Sequence, residues 1–250
     1  MFRHLGANLV GALIISMFFI KPDACASKFV KIAAASDLQF VMQKLVLQFK
    51  KENPDINFSE NYGSSGNFVS QIESGADFDM FFSADTQYAE VLEKAKLTNG
   101  PPKQYAEGIL VFCGAEKLQD FTKNEFNKIA IANPEHAPYG GIALESLKSA
   151  KIYDQLKVKL VFGENVSQAA QFILSNGAKG GLISKALLYS KQAQNFHCQE
   201  VENKLYHPLK QSFVVLKKKL PNDASLKFSK YVLSPAAQEI FRANGFNSVQ

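Results

Sequence analysis

The sequence predicts an α/β protein of two lobes, and three observations carry that reading. Short apolar runs alternate with stretches of helical periodicity, and Gly, Ser, Asn and Pro fall where the runs end. Two apolar runs, 109–113 and 213–216, bracket an inner block that has its own strand and helix alternation. The repeated βα order implies parallel sheets covered by helices on both faces. Residues 27–108 and 209–250 then form lobe 1, residues 109–208 form lobe 2, and the bracketing runs cross between them.

Taken in order, 29–35 is a strand candidate. Leu38, Val41, Met42, Leu45 and Phe49 follow at three- and four-residue spacing, an amphipathic helix that stops near Asn53-Pro54. A second strand covers 56–62, and a short helix from about Asn67 ends at Gly75. The strand at 78–82 runs into Ser83-Ala84-Asp85, where Asp85 is placed to cap the next helix. Within the inner block, 129–132, 157–162 and 180–183 read as strands, each feeding a turn and then a helix. A last helix beginning near Ser234-Pro235 returns to lobe 1.

Ahead of all this, Arg3 and His4 precede an apolar run from Leu9 to Ile20 and the small-x-small sequence Ala24-Cys25-Ala26, the pattern of an export leader over 1–26. That run is too short to span hydrocarbon, which takes about 20 apolar residues. Cleavage after Ala26 would leave 224 residues, ample for two lobes with real cores, and lower the formal charge from +5 to +4. So mild a balance, without a Lys/Arg block beyond Lys217-Lys218-Lys219 at a strand end, does not describe a nucleic-acid binder. Cys113 and Cys198 would then reside in an oxidising compartment, where a bond between them and two separate buried thiols are both open.

The chemistry lies in two turns, Ala33-Ala34-Ala35-Ser36-Asp37-Leu38 and Asn61-Tyr62-Gly63-Ser64-Ser65-Gly66-Asn67-Phe68. Each puts serine where an apolar strand gives way to a helical pattern. A helix start offers unpaired backbone N–H groups and the positive end of the helix dipole, and serine adds a hydroxyl donor without adding charge. Two such turns suit an anion, and ligands of open α/β sheets collect at the carboxyl ends of strands. Either serine alone would be an ordinary helix cap. Asp37 sits awkwardly beside an anion unless its side chain turns away, His136 suits a turn-fixing role between Glu135 and the two prolines, and Lys185 suits solvent.

With these motifs in register, the chain resembles the periplasmic molybdate-binding proteins, solute-binding components of oxyanion ABC importers with the type II two-lobed fold. The resemblance spans the mature chain and rests on Ala33-Ala34-Ala35-Ser36, Gly63-Ser64-Ser65-Gly66, the 78–85 segment, Pro134-Glu135-His136-Ala137-Pro138-Tyr139-Gly140, Glu164-Asn165-Val166 and 235–241 with Gly245-Phe246. It implies a tetrahedral dianion held between the lobes by neutral donors. Ser36 and Ser65 match hydroxyl-and-amide ligands, and Tyr139 and Val166 match positions whose amides face the anion. Ser184 stands where many relatives place a tyrosine whose phenol donates, so the resemblance implies either Ser184 as the remaining ligand or, its hydroxyl being shorter, the phenol of Tyr139 or a water in its place. The ligand expected is molybdate, with tungstate beside it, in the periplasm of an exported monomer that serves an inner-membrane ABC permease. Neither a cofactor nor a direct bond from protein to molybdenum is expected.

A site of donors without acceptors rejects a protonated anion, whose extra hydrogen finds no partner. The hydroxyls and amides of Ser36 and Ser65 with the amides of Tyr139 and Val166, at about 1.5–3 kcal/mol each, give roughly 9–18 kcal/mol before the costs of association. Sulfate, thiosulfate or an organic acid is the competing ligand, though no Arg clamp for a carboxylate stands in these turns. A serine hydrolase is the competing class. Gly63-Ser64-Ser65-Gly66 lacks the Gly-x-Ser-x-Gly spacing that such an enzyme needs. Ferric-ion capture would want clustered tyrosines, whereas Tyr62, Tyr139 and Tyr153 are scattered.

Overall fold

The computed structural model describes residues 28–193, 196–220 and 222–249, and the expected leader at 1–26 lies outside them. Strands β1 (Phe29–Ala35), β2 (Asn57–Gly63) and β3 (Met80–Ser83) alternate with α1 (Gln39–Lys50), α2 (Ser65–Glu73) and α3 (Thr86–Lys94). After β4 (Lys103–Gly108) the chain enters the second lobe through β5 (Leu110–Cys113). There follow β6 (Ile129–Ala132), α4 (Pro138–Ser149), α5 (Tyr153–Leu156), β7 (Leu160–Gly163), α6 (Val166–Leu174), β8 (Gly180–Ser184) and β9 (Cys198–Glu200). The return is β10 (Leu209–Val215), α7 (Asp223–Val232), α8 (Pro235–Arg242) and β11 (Phe246–Asn247).

Two sheets result. The first has the order β11-β4-β10-β3-β1-β2, the second β7-β6-β8-β5-β9. In the first, β1 pairs in parallel with β2 and β3, while β10 runs antiparallel to β3 and β4. The run expected to cross at 213–216 therefore lies inside this sheet, and β10 begins earlier, at Leu209, which pairs with Gly108. The two passages between lobes run side by side there, joined again where Val201 N donates to Leu110 O at 3.0 Å.

The pleat sorts side chains to the two faces of the first sheet. Val30, Ile32, Ala34, Met80, Phe82 and Phe213 share one core with α1, α7 and α8. Ala33, Phe81 and Val214 share another with Phe68, Ile72, Ala89 and Leu92 of α2 and α3. Phe49 meets Phe228 edge-on at 5.1 Å and Phe82 stacks on Phe213 at 5.2 Å, so aromatic pairs bind the α1 and α7 layer to the sheet. The second lobe has its own core around Ile129, Ile131, Leu147, Leu156, Ala169 and Leu182.

Cys113 and Cys198 are paired, which resolves the two sequence readings in favour of the bond. They are register partners on the adjacent antiparallel strands β5 and β9, a placement that brings their side chains together. Gly75 takes φ +92 just beyond α2 and Asp85 Oδ1 accepts from Gln87 N at 2.8 Å, both as the turn chemistry predicts.

Candidate functional site

Four helical starts, two from each lobe, wall one small cavity. Ala35, Ser36 and Asp37 come from the turn after β1, and Gly63, Ser64 and Ser65 from the end of β2 and the start of α2. Ala137, Pro138 and Tyr139 come from the start of α4, and Asn165 and Val166 from the start of α6; Ala84 completes the wall. Each segment follows the carboxyl end of a parallel strand, β1, β2, β6 or β7. Its space is about 10 Å³, room for one water-sized sphere. A far larger depression of about 710 Å³ on lobe 1, between Glu52, Asp55, Lys227 and Lys230, gathers none of these starts.

The local sequences leave three of the four starts without a side-chain cap. The 36–38 turn, α2 and α4 begin after Ala35, Ser64 and Ala137, and none of the three makes a side-chain capping bond. Helices α3, α7 and α8, which begin away from the cavity or at its margin, are capped by Asp85, Asn222 and Ser234. The first N–H groups of a helix have no partner within it. Ser65 and Val166 are the first residues of α2 and α6, and Tyr139 follows Pro138 at the head of α4. Asn165 caps α6 at Gln168 N, 3.1 Å away, which leaves the Val166 position uncovered by that bond.

Of the five residues expected at the site, the structure brings four to the cavity. Ser36, Ser65, Tyr139 and Val166 line it, each at most 4% exposed. Ser36 Oγ accepts from Ser167 N at 3.3 Å, and Ser65 Oγ accepts from Ala84 N at 3.1 Å. A hydroxyl has a single proton, so each serine is oriented through its acceptor side and keeps its O–H to give. Ser184 is not brought to the cavity. Its hydroxyl donates to Tyr139 Oη at 2.9 Å and accepts from Ala186 N at 3.3 Å, so both of its roles are taken up within the protein.

Sequence reasoning missed several neighbours. Ser64, at the cavity wall, has a buried hydroxyl without a protein partner. Ser167 Oγ donates to Ser36 O at 2.9 Å, tying α6 of one lobe to the first turn of the other. Gly66 N donates to His136 O at 2.9 Å across the same gap. Asn67 Nδ2 bonds the Glu164 carboxylate, and His136 Nε2 lies 3.1 Å from Glu164 O, so His136 fixes the turn as its flanking prolines suggested. Lys185 pairs with Glu200 at 2.6 Å rather than facing an anion.

Behind the cavity lies a buried polar network. Gln211 Nε2 donates to Asp37 Oδ2 at 2.6 Å and approaches Tyr139 Oη at 3.3 Å, while Tyr105 Oη lies 2.6 Å from Gln211 Oε1. A bulge between Gln211 and Ser212 marks this point in β10, and bulges re-aim side chains. Gly108 is needed beside it, since a Cβ there would fall 2.4 Å from Tyr139 Oη. Asp37 does not turn out to solvent: it is fully buried, and burial pushes its carboxyl up to about 6, opposed by hydrogen bonds from Gln211 and Tyr139 and the nearby amides. Burial raises the Tyr105 and Tyr139 phenols well above their usual range, with the Asp37 charge adding to it.

Two lobes, paired crossings and a cleft lined by helix starts define a solute-binding protein of the type II periplasmic fold. The family described as bacterial extracellular solute-binding protein matches residues 30–247, and the chain belongs to it. Among its relatives, the molybdate-binding protein ModA of Azotobacter vinelandii is 33% identical over 233 residues, 89% of this chain and 92% of that protein. The ModA of Rhodobacter capsulatus is 32% identical over 191 residues, covering 74% and 75% of the two chains. The solved Azotobacter vinelandii periplasmic molybdate-binding protein superposes with a TM-score of 0.82 at 27% identity, over 88% of this chain and all of that one. The sulfate-binding protein SubI from Mycobacterium tuberculosis, with a TM-score of 0.73 at 10% identity over 89% and 87%, shares the fold.

Proposed function

We propose that this protein binds molybdate, and tungstate with it, in the periplasm and delivers the anion to an ABC permease of the inner membrane. The single observation that carries the reading is the convergence of uncapped helix starts from both lobes on a cavity that no Lys, Arg or His among the described residues lines. The relatives named for molybdate supply the identity of the anion.

The anion's oxygens would take the hydroxyls and amides of Ser36 and Ser65 from lobe 1 and the amides of Tyr139 and Val166 from lobe 2. Positive helix ends supply the attraction without a formal cation. The lining residues are nearly all buried, so the lobes part about their crossings to admit the anion and close again around it. Contacts made to both halves then favour the closed form, which is the shape a permease reads. Ser184 serves through Tyr139, holding its phenol, and no cofactor enters the reading.

Thermal melting in the presence of molybdate, tungstate or sulfate tests the assignment. Micromolar molybdate and tungstate should raise the melting temperature where equal sulfate does not. Equal shifts with all three, or no shift with any, would reject it.

A further inference from the structure

Asp37, next in sequence to Ser36, is the one acidic residue among the described residues that line the cavity; it is fully buried, and its carboxyl reaches the network behind the wall. Its Oδ2 is taken by Gln211, whereas Oδ1 is buried without a hydrogen-bond partner. A carboxylate is purely an acceptor, and so is an oxyanion dianion. Two such groups sharing a cavity of this size repel each other and leave Oδ1 with nothing to bond. A protonated carboxyl reverses both terms: it is neutral, and its O–H is a donor.

We propose that Asp37 joins the oxyanion site as the neutral acid, its Oδ1 proton donated to the bound anion, so that each dianion enters with one proton. The inference rests on the oxyanion reading above and concerns the anion's oxygens alone, with no bond to the metal atom. Gln211 makes it possible, because its Nε2 holds Oδ2 as the carbonyl-like acceptor and leaves Oδ1 to carry the hydrogen.

Hydrogen bonds from Gln211, Tyr139 and the nearby amides favour a charged Asp37, but among the described residues no cation pairs with it. The phenols of Tyr105 and Tyr139, and Tyr62 of β2, are all raised by burial and stay neutral. Glu60 of β2 is itself acidic; on α1, Lys44 bonds Asn244, and Lys185 in the turn after β8 bonds Glu200. Helix α6 carries no titratable side chain, and no ion pair among the described residues includes Asp37. Burial already lifts its carboxyl to about 6 before any anion arrives. A neighbouring dianion raises it further, and by reciprocity the proton strengthens anion binding by the same factor.

Calorimetric titration of the whole mature protein with molybdate, at about pH 8 in two buffers of different ionisation enthalpy, tests this directly. The expected result is uptake of about one proton per anion and an affinity that falls about tenfold from pH 7 to pH 8. Asp37→Asn, whose amide donates at any pH, should bind with no proton uptake and a flat pH profile. Tight binding by the natural protein without proton uptake, or uptake that persists in Asp37→Asn, overturns the inference while leaving the oxyanion reading intact. No binding of any oxyanion by the natural protein takes down both.

Discussion

Gly66 N donates to His136 O at 2.9 Å, so the two lobes meet backbone to backbone at the rim of the cavity. A Cβ on Gly66 would stand 2.9 Å from His136 Cβ and 3.0 Å from its carbonyl oxygen, closer than side chains pack. The second glycine of Gly63-Ser64-Ser65-Gly66 is thus needed for this close approach of the two backbones. Gly66→Ala should prop the cleft apart and break the bond, costing about 1–2 kcal/mol of anion affinity, or roughly 5–30-fold in Kd. Calorimetry measures it; an unchanged Kd would show that closure does not pass through this contact.

Ser65 and Ser184 are both fully buried serines at strand ends, yet their hydroxyls face different tasks. Ser65 Oγ accepts from Ala84 N and lines the cavity, so on the proposed function Ser65→Ala should weaken molybdate binding by about 1–3 kcal/mol. Ser184 gives its proton to Tyr139, so Ser184→Ala should cost stability of about 1 kcal/mol and change Kd by less than about threefold. Parallel titrations and melts of the two variants separate the roles, and equal losses of affinity would return Ser184 to the ligand shell.

The Cys113–Cys198 bond closes a loop across 85 residues of lobe 2. Cys198→Ser should lower stability by about 2–5 kcal/mol, since the unfolded chain regains the entropy that the link removes. Denaturant titration reads this effect. Both cysteines lie outside the cavity lining, so anion affinity should hold within about twofold.

Asp37 also links folding to pH. Its carboxyl is raised from 3.8 to about 6 in the folded protein, so as pH climbs the unfolded chain ionises first and the native state loses ground to it. Stability from this group is complete below about pH 4, falls as pH rises through about 6 and is flat beyond, a change on the order of 3 kcal/mol. Asp37→Asn removes the dependence. The stability difference between variant and natural protein, measured without ligand, should swing in favour of the variant between pH 4 and pH 7; a constant difference would show that Asp37 titrates normally.

Much of this was legible in the chain alone. The strand at Phe29–Ala35 and the helices after Ser36 and Asn165 follow from local periodicity and turn chemistry, which act over a few residues. Ser36, Ser65, Tyr139 and Val166 share a cavity because parallel strands deliver their carboxyl ends to one edge, a consequence of strand order. What the sequence by itself determined is therefore two α/β lobes with donor turns facing one cleft.

The tertiary structure alone decided which of those groups remain available. Ser184 was diverted by the phenol of Tyr139, a residue 45 positions away, and Asp37 was buried against Gln211, 174 positions away. Cys113 met Cys198 because β9 adds to the edge of β5. Such pairings depend on how two sheets approach and on where a bulge turns one amide, and no periodicity along the chain encodes them. A side chain's type sets what bonds it can make; its neighbours in space set which of those are still free for a ligand.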